Sequence, residues 1–261
     1  MKPAARTLRV GSVSYLNAKP LIHRLEDDPQ IEVRLAVPAM LLEGLNSAQF
    51  DVALLPVIDY QRLEDGRIVP SGGIGCDGPT LTVRIFSRKP IKKIDVLACD
   101  ADSHTSVALA RIVLAEQFGV RPRLIDWSER CPDADAMLLI GDKVVTQEPR
   151  GFEHQLDLGT AWKDLTQKPF VFAVWTTRLG IDLGDLPQRL SHARDLGLSD
   201  LPGIVARHAG AHGWPSELAL KYFSDYLKFE IGPAQLEAIR LFHELAASQG
   251  IIPAPRPLLL Y

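Results

Sequence analysis

An α/β fold of two units, one nested inside the other, is what the sequence predicts, and three patterns carry the prediction. Short apolar strands alternate with helices from Leu8 to Pro56, a βαβαβ rhythm that implies a sheet with right-handed crossovers. A second strand–helix–strand series begins near Arg88, after a glycine-rich stretch. The apolar run Phe170 to Trp175 then carries the chain back across a hinge at Trp175 to Arg178. Residues 1–87 and 177–261 are thereby assigned to one lobe and 88–176 to the other. With 261 residues the chain can bury one large core or two smaller ones.

Each element follows from local chemistry. Leu8 and Val10 open a strand that breaks at Gly11, and Pro20 to Glu26 is a short helix ended by Asp27-Asp28-Pro29. The alternation Ile31, Val33, Leu35, Val37 marks a half-buried strand, followed by a helix from Pro38 to Ser47 with Met40, Leu41 and Leu45 inward. Phe50 to Pro56 is apolar enough to be a parallel strand covered on both faces. Strand Arg67 to Pro70 leads through Ser71–Pro79 to strand Thr80 to Ser87. In the second unit, strands are expected at Lys93 to Cys99, Arg123 to Asp126, Ala136 to Ile140, Leu156 to Trp162 and Phe170 to Trp175. A helix from Val107 to Phe118 presents Val107, Ala110, Leu114 and Phe118 on one face and ends at Gly119. The remainder is helical. Two short helices flank Gly197, Ser216 caps a helix with Leu218, Tyr222, Tyr226 and Phe229 inward, and a last helix runs from Ala234 to Gln249.

Composition excludes several classes. A net charge of −3 supplies no basic field for nucleic acid or an acidic membrane, so an anionic ligand has to be held by local donors. Cys76, Cys99 and Cys131 are odd in number with no C-x-x-C pair, which argues against a disulfide framework or a zinc site. His208 and His212 are four apart, but no third ligand or glutamate accompanies them, and no metal is expected. Gly73, Gly75 and Gly78 spell G-x-G-x-x-G, but the dinucleotide fingerprint needs a helix directly after it. Here a strand follows, and no cofactor is expected. No apolar run reaches the length of a membrane span, and nothing at the N-terminus reads as a secretory signal, so a cytoplasmic protein is expected. The sequence sets no oligomeric state.

Polar residues collect at the ends of strands, where an open sheet meets ligands. Ser12, Ser14, Tyr15 and Asn17 follow the first strand, and either bind a polar ligand or cap the next turn. Asp102-Ser103-His104-Thr105-Ser106 opens a helix, whose free N–H groups can hold an anion; capping alone needs one of these hydroxyls. Asp51 to Tyr60, Gly78 to Thr82 and Leu138 to Asp142 are further strand-end blocks, each an ordinary loop when taken singly.

Gly11-Ser12-Val13-Ser14-Tyr15-Leu16-Asn17-Ala18-Lys19-Pro20-Leu21 resembles the N-terminal signature of the MqnA family, the chorismate dehydratases of the futalosine route to menaquinone. The resemblance extends in order through Asp51 to Tyr60, Ser103 to Val107, Leu138 to Asp142, Asp157 to Trp162 and Lys168 to Trp175. It implies a two-lobed fold like the type II periplasmic binding proteins, with a ligand cleft between the lobes. It further implies a cofactor-free hydro-lyase acting on chorismate. By motif match Asn17 and Thr82 are the catalytic residues, the family having Ser where this chain has Thr82. Ser14, Tyr15, Pro56, Thr80, Ser103, His104, Thr105, Ser106, Gly141 and Asp142 bind substrate. His104 is the one imidazole in these blocks, so the substrate's own enolpyruvyl carboxylate is expected to take the proton. The rival class is a binding module of the same fold. A solute receptor calls for a signal peptide or lipid anchor, and a regulator for a helix-turn-helix before the first strand; neither is expected here.

Overall fold

In a computed structural model, which describes residues 6–100, 103–127, 134–147 and 149–261, the chain folds around two sheets. Asp102 and Cys131 lie outside the described residues. β1 (Leu8–Val13) pairs in parallel with β2 (Ile31–Ala36) and with β3 (Val52–Pro56). β3 is buried at every position, as its unbroken apolar sequence requires. β10 (Phe170–Arg178) lies antiparallel between β3 and β4 (Gly66–Cys76), and the two-residue β11 (Leu227–Lys228) closes the far edge. The order is β11-β4-β10-β3-β1-β2.

The second sheet has the order β7-β6-β8-β5-β9, from β5 (Val83–Ser87), β6 (Val96–Cys99), β7 (Arg123–Asp126), β8 (Ala136–Ile140) and β9 (His154–Asp157). By sheet membership the chain leaves the first sheet after Cys76 and rejoins it at Phe170. β5 therefore sits with the second sheet and all of β10 with the first. This corrects the expected bounds of 1–87, 88–176 and 177–261, because an apolar run marks a strand without naming its neighbours.

The glycine-rich stretch is strand rather than loop. A Cβ at Gly73 would come 2.5 Å from the Ala173 carbonyl oxygen, and one at Gly75 2.6 Å from that of Phe170. These glycines let β4 approach β10, and after Gly78 no helix follows.

Other elements depart from expectation for local reasons. Leu16–Ile22 is a 3₁₀ helix with Pro20 inside it, starting directly after β1 rather than at Pro20. In α1 (Pro38–Asn46) Leu41 and Leu45 are buried, but Met40 is exposed. α2 (His104–Phe118) starts earlier than Val107 and is buried nearly all round, ending at Gly119 in the left-handed region. α3 (Asp142–Thr146) is a single turn after β8. Leu156–Trp162, read as strand, is strand only to Asp157, whose carboxylate accepts from the Thr160 N–H and starts α4 (Leu158–Thr166).

In the C-terminal part, α5 (Leu186–Ser199) runs through Gly197, where a Cβ would meet the Pro20 carbonyl oxygen at 2.3 Å; the break before α6 (Leu201–His208) falls at Asp200. Pro215, not Ser216, is the N-cap of α7 (Ser216–Lys221). A π-turn over Tyr222–Tyr226 follows, and α8 (Pro233–Ser248) ends the helical part. Trp162, Phe170 and Phe242 pack edge to face beneath β10, joining α4 and α8 in a core that continues through both sheets.

Candidate active site

The carboxyl ends of β1 and β3 and the N-terminus of α2 meet at a cleft. Its floor is apolar, with Leu54, Ile74 and Phe172 among its residues, and its polar groups converge from three parts of the chain. Such a layout suits a small ligand with a flat body and charged ends.

From the first sheet come Tyr15 and Asn17. The 3₁₀ helix buries Leu16, Ala18 and Leu21 beneath the sheet, and this anchors Tyr15 and Asn17 at the cleft. Asn17 Oδ1 is shielded from solvent and has no hydrogen-bond partner. A buried acceptor of this kind costs about 1–3 kcal/mol unless a ligand satisfies it. Ser14, expected to bind substrate, lies just past the end of β1, is exposed and does not line the cleft. Pro56, at the end of β3, does line it.

From the second unit come Ser103, His104, Thr105 and Ser106 at the start of α2. Ser103 is the N-cap by backbone geometry, yet its side chain makes no capping bond. The hydroxyls are thus not consumed by the helix, and the first-turn N–H groups face the cleft with the positive end of the helix dipole. Thr105 Oγ1 accepts from the Ile58 N–H at 3.3 Å. His104 Nδ1 lies 2.8 Å from the fully buried Asp59 carboxylate, which also accepts from Arg62 at 3.1 Å. Donation from Nδ1 to Asp59 fixes the ring orientation and ties α2 to the segment after β3.

The crossover between the sheets supplies Thr80 and Thr82. Asp157 accepts from the Thr80 N–H at 3.0 Å and from the Leu81 N–H at 2.9 Å, so the cap of α4 also pins this turn. Leu81, between them, has a φ of 64°, strained for a leucine. Thr82 Oγ1 is 2.7 Å from the hydroxyl of Tyr222, which also lines the cleft. Burial raises the Tyr222 hydroxyl far above the usual phenol range, against hydrogen bonding from Thr82 and Asn17 that favours the ionised form. It stays protonated.

Tyr222 is the site residue that sequence reasoning missed. The spacing Leu218, Tyr222, Tyr226, Phe229 reads as a core helix face, but the π-turn breaks that face and delivers the phenol to the cleft. One usable signal was present, since a buried tyrosine hydroxyl needs a partner.

Gly141 lines the cleft with a φ of 58°, and a Cβ there would lie 3.4 Å from the Tyr15 ring. Asp142, expected to bind substrate, does not line it. Its carboxylate accepts from Trp214 Nε1 at 2.8 Å and faces His212 Nδ1 at 2.7 Å, linking α3 to the C-terminal helical segment. An aspartate that opens a helix one residue beyond the cleft has no sequence feature that separates these two roles.

Residues 8–248 match the family described as menaquinone biosynthesis. A protein of Thermus thermophilus named chorismate dehydratase is 29% identical over 265 residues, covering 86% of this chain and 96% of that one. Among solved structures, a protein from Archaeoglobus fulgidus superposes with a TM-score of 0.74 at 16% identity, over 96% of this chain and 100% of the other. The alkanesulfonate-binding protein SsuA from Xanthomonas axonopodis pv. citri, bound to MOPS, gives 0.71 at 16% identity, over 100% and 98%. The structural likenesses establish a periplasmic-binding-protein-like fold.

Proposed function

Since the chain belongs to the menaquinone biosynthesis family, we propose that it is a chorismate dehydratase, removing water from chorismate to give 3-[(1-carboxyvinyl)oxy]benzoate. The observation that carries this reading is the unsatisfied Asn17 amide oxygen, in the same cleft as the uncapped N-terminus of α2. An acceptor and a cluster of neutral donors there match a dianion that also carries a hydroxyl.

The chemistry needs little from the protein beyond orientation. The C3 hydrogen of chorismate is acidified by conjugation through the ring to its carboxylate. Loss of that proton and of the C4 hydroxyl places a third double bond in the ring and makes it aromatic. The enolpyruvyl carboxylate takes the C3 proton, the C–H electron pair forms the C3=C4 double bond as the C4–O bond breaks, and the departing hydroxide takes that proton from the enolpyruvyl carboxyl group and leaves as water. Negative charge spreads meanwhile onto the ring carboxylate, where Ser103, Thr105, Ser106 and the first-turn N–H groups of α2 hold it. Asn17 Oδ1 accepts from the C4 hydroxyl and fixes its geometry for departure. His104, turned by Asp59, is a spacer rather than a base.

The test is purified protein with chorismate, followed by absorbance of the aromatic product. Turnover is expected in the wild type, with a loss of a hundredfold or more, about 3 kcal/mol, in Asn17→Ala. His104→Ala is expected to lose less than about tenfold. Inert wild-type protein would leave a binding protein of the same fold. Abolished turnover in His104→Ala with binding retained would install a protein base instead.

A further inference from the structure

We propose that the outer edge of β2 is a self-association surface, where a second copy of this chain pairs antiparallel about a two-fold axis through Val33. The inference is independent of what the cleft binds.

β2 (Ile31–Ala36) ends its sheet, and among the described residues β1 is its only strand neighbour. The Leu8 N–H donates to the Gln30 carbonyl at 2.8 Å, in a parallel register that sets Leu8 opposite Ile31. Backbone groups of Gln30, Glu32, Arg34 and Ala36 therefore turn towards β1, and those of Ile31, Val33 and Leu35 turn outwards. The Ile31 N–H is taken by the Asp28 carbonyl at 3.0 Å, which leaves its carbonyl and both groups of Val33 and Leu35 pointing away from the sheet. Such an edge is a template for another strand unless proline or repelling charge blocks it, and no proline falls within β2.

The side chains decide which strand fits. An axis at Val33 sets Val33 against its own copy, Ile31 against Leu35, and Glu32 against Arg34. The Val33 N–H of each copy then donates to the Val33 carbonyl of the other, and the Leu35 N–H to the Ile31 carbonyl, the pattern of an antiparallel ladder. On one face every cross-strand pair is apolar. Leu35, 48% exposed, is covered there by Ile31 from the buried end of the other strand. On the other face Glu32 and Arg34 hold the closer, non-hydrogen-bonded positions, where opposite charges stabilise a pair and like charges oppose it. Within one chain Arg34 already donates to Glu32, Nε to Oε1 at 2.7 Å and Nη2 to Oε2 at 3.0 Å. The second copy closes this pair into a ring of alternating charges. The ring continues a row that crosses the sheet, since Arg9 lies opposite Glu32 in the register and donates to Asp51 at 2.9 Å. A partner shifted by two residues either way would set Glu32 against Glu32 or Arg34 against Arg34, so the charges also select the register.

Sedimentation velocity of the full chain at low salt tests the proposal. The wild type is expected to pass from monomer towards dimer between about 5 and about 200 µM, the range suited to a short edge-to-edge contact. Glu32→Arg alone makes every facing charge positive, and Arg34→Glu alone makes every one negative. Each is expected to weaken the dimer about tenfold or more. A mixture of these two variants restores complementary pairs and is expected to associate as the wild type does, a result that a folding defect could not give. The chain carrying both changes is likewise expected to dimerise. Wild-type protein that stays monomeric at about 200 µM overturns the proposal. So do single variants that dimerise undiminished, or a mixture that stays monomeric.

Discussion

Gly141 and His243 show how much a single residue carries at this site and away from it. Gly141 adopts a φ of 58° and a ψ of −141° beneath the Tyr15 ring, a combination available to glycine alone. Gly141→Ala should cost about 1–3 kcal/mol and raise KM as Tyr15 is displaced, read by thermal melts and kinetics. His243, away from the cleft, has both ring nitrogens engaged: Nε2 donates to the Val57 carbonyl at 2.8 Å and Nδ1 accepts from Gln61 at 2.8 Å. Burial, opposed by the Val57 carbonyl, lowers it to about 4. The unfolded chain takes up this proton first, so the contribution of neutral His243 is complete above about pH 6.5 and is lost as pH falls towards about 4. The loss approaches about 3 kcal/mol. Melts of wild type and His243→Gln should therefore converge between about pH 7 and pH 4.5 if this group sets the acid limb. Polar residues crowding strand ends drew attention to Asn17, Thr82 and the start of α2, but left a cap or an ordinary loop as equal readings; the family resemblance singled these residues out, and they do line the cleft. Ser14 and Asp142 belong to the same blocks and do not line it, since motif membership does not tell which way a side chain points.

Among the elements, β4 depends most on side chains it lacks. Gly75→Ala would drive a Cβ against the Phe170 carbonyl oxygen and separate β4 from β10. A loss of about 1–3 kcal/mol is expected, measured by denaturant unfolding. Asp157 couples the cap of α4 to the Thr80–Thr82 turn through backbone N–H groups on both. Asp157→Ala should lower stability by about 2–3 kcal/mol and also reduce kcat, because Thr82 is set by the same turn. Element type was readable wherever periodicity was long, as in α2 and α8. It failed at Leu156–Trp162, where a strand passes into a helix without a break in apolar character, and at Tyr222, where a π-turn interrupts a regular helical spacing.

Across the whole molecule, the two sheets are joined by contacts that close the cleft: His104 with Asp59, Thr82 with Tyr222, and Asp142 with His212 and Trp214. Removing one favours an open form. Asp142→Ala is expected to increase the radius of gyration of the free protein in solution scattering and to raise KM several-fold, with chorismate restoring the compact dimension. The nested arrangement was legible from the repeated strand–helix rhythm. The sheet to which β5 and β10 belong was not, because neighbour choice is made by long-range register that an apolar run does not encode.

None of the described residues lining the cleft is a lysine or an arginine. A dianion held by hydroxyls, amides and a helix terminus forms few ion pairs that dissolved salt can weaken. The Michaelis constant should then vary less than about twofold from 20 to 500 mM potassium chloride, where a site built on surface cations would lose far more.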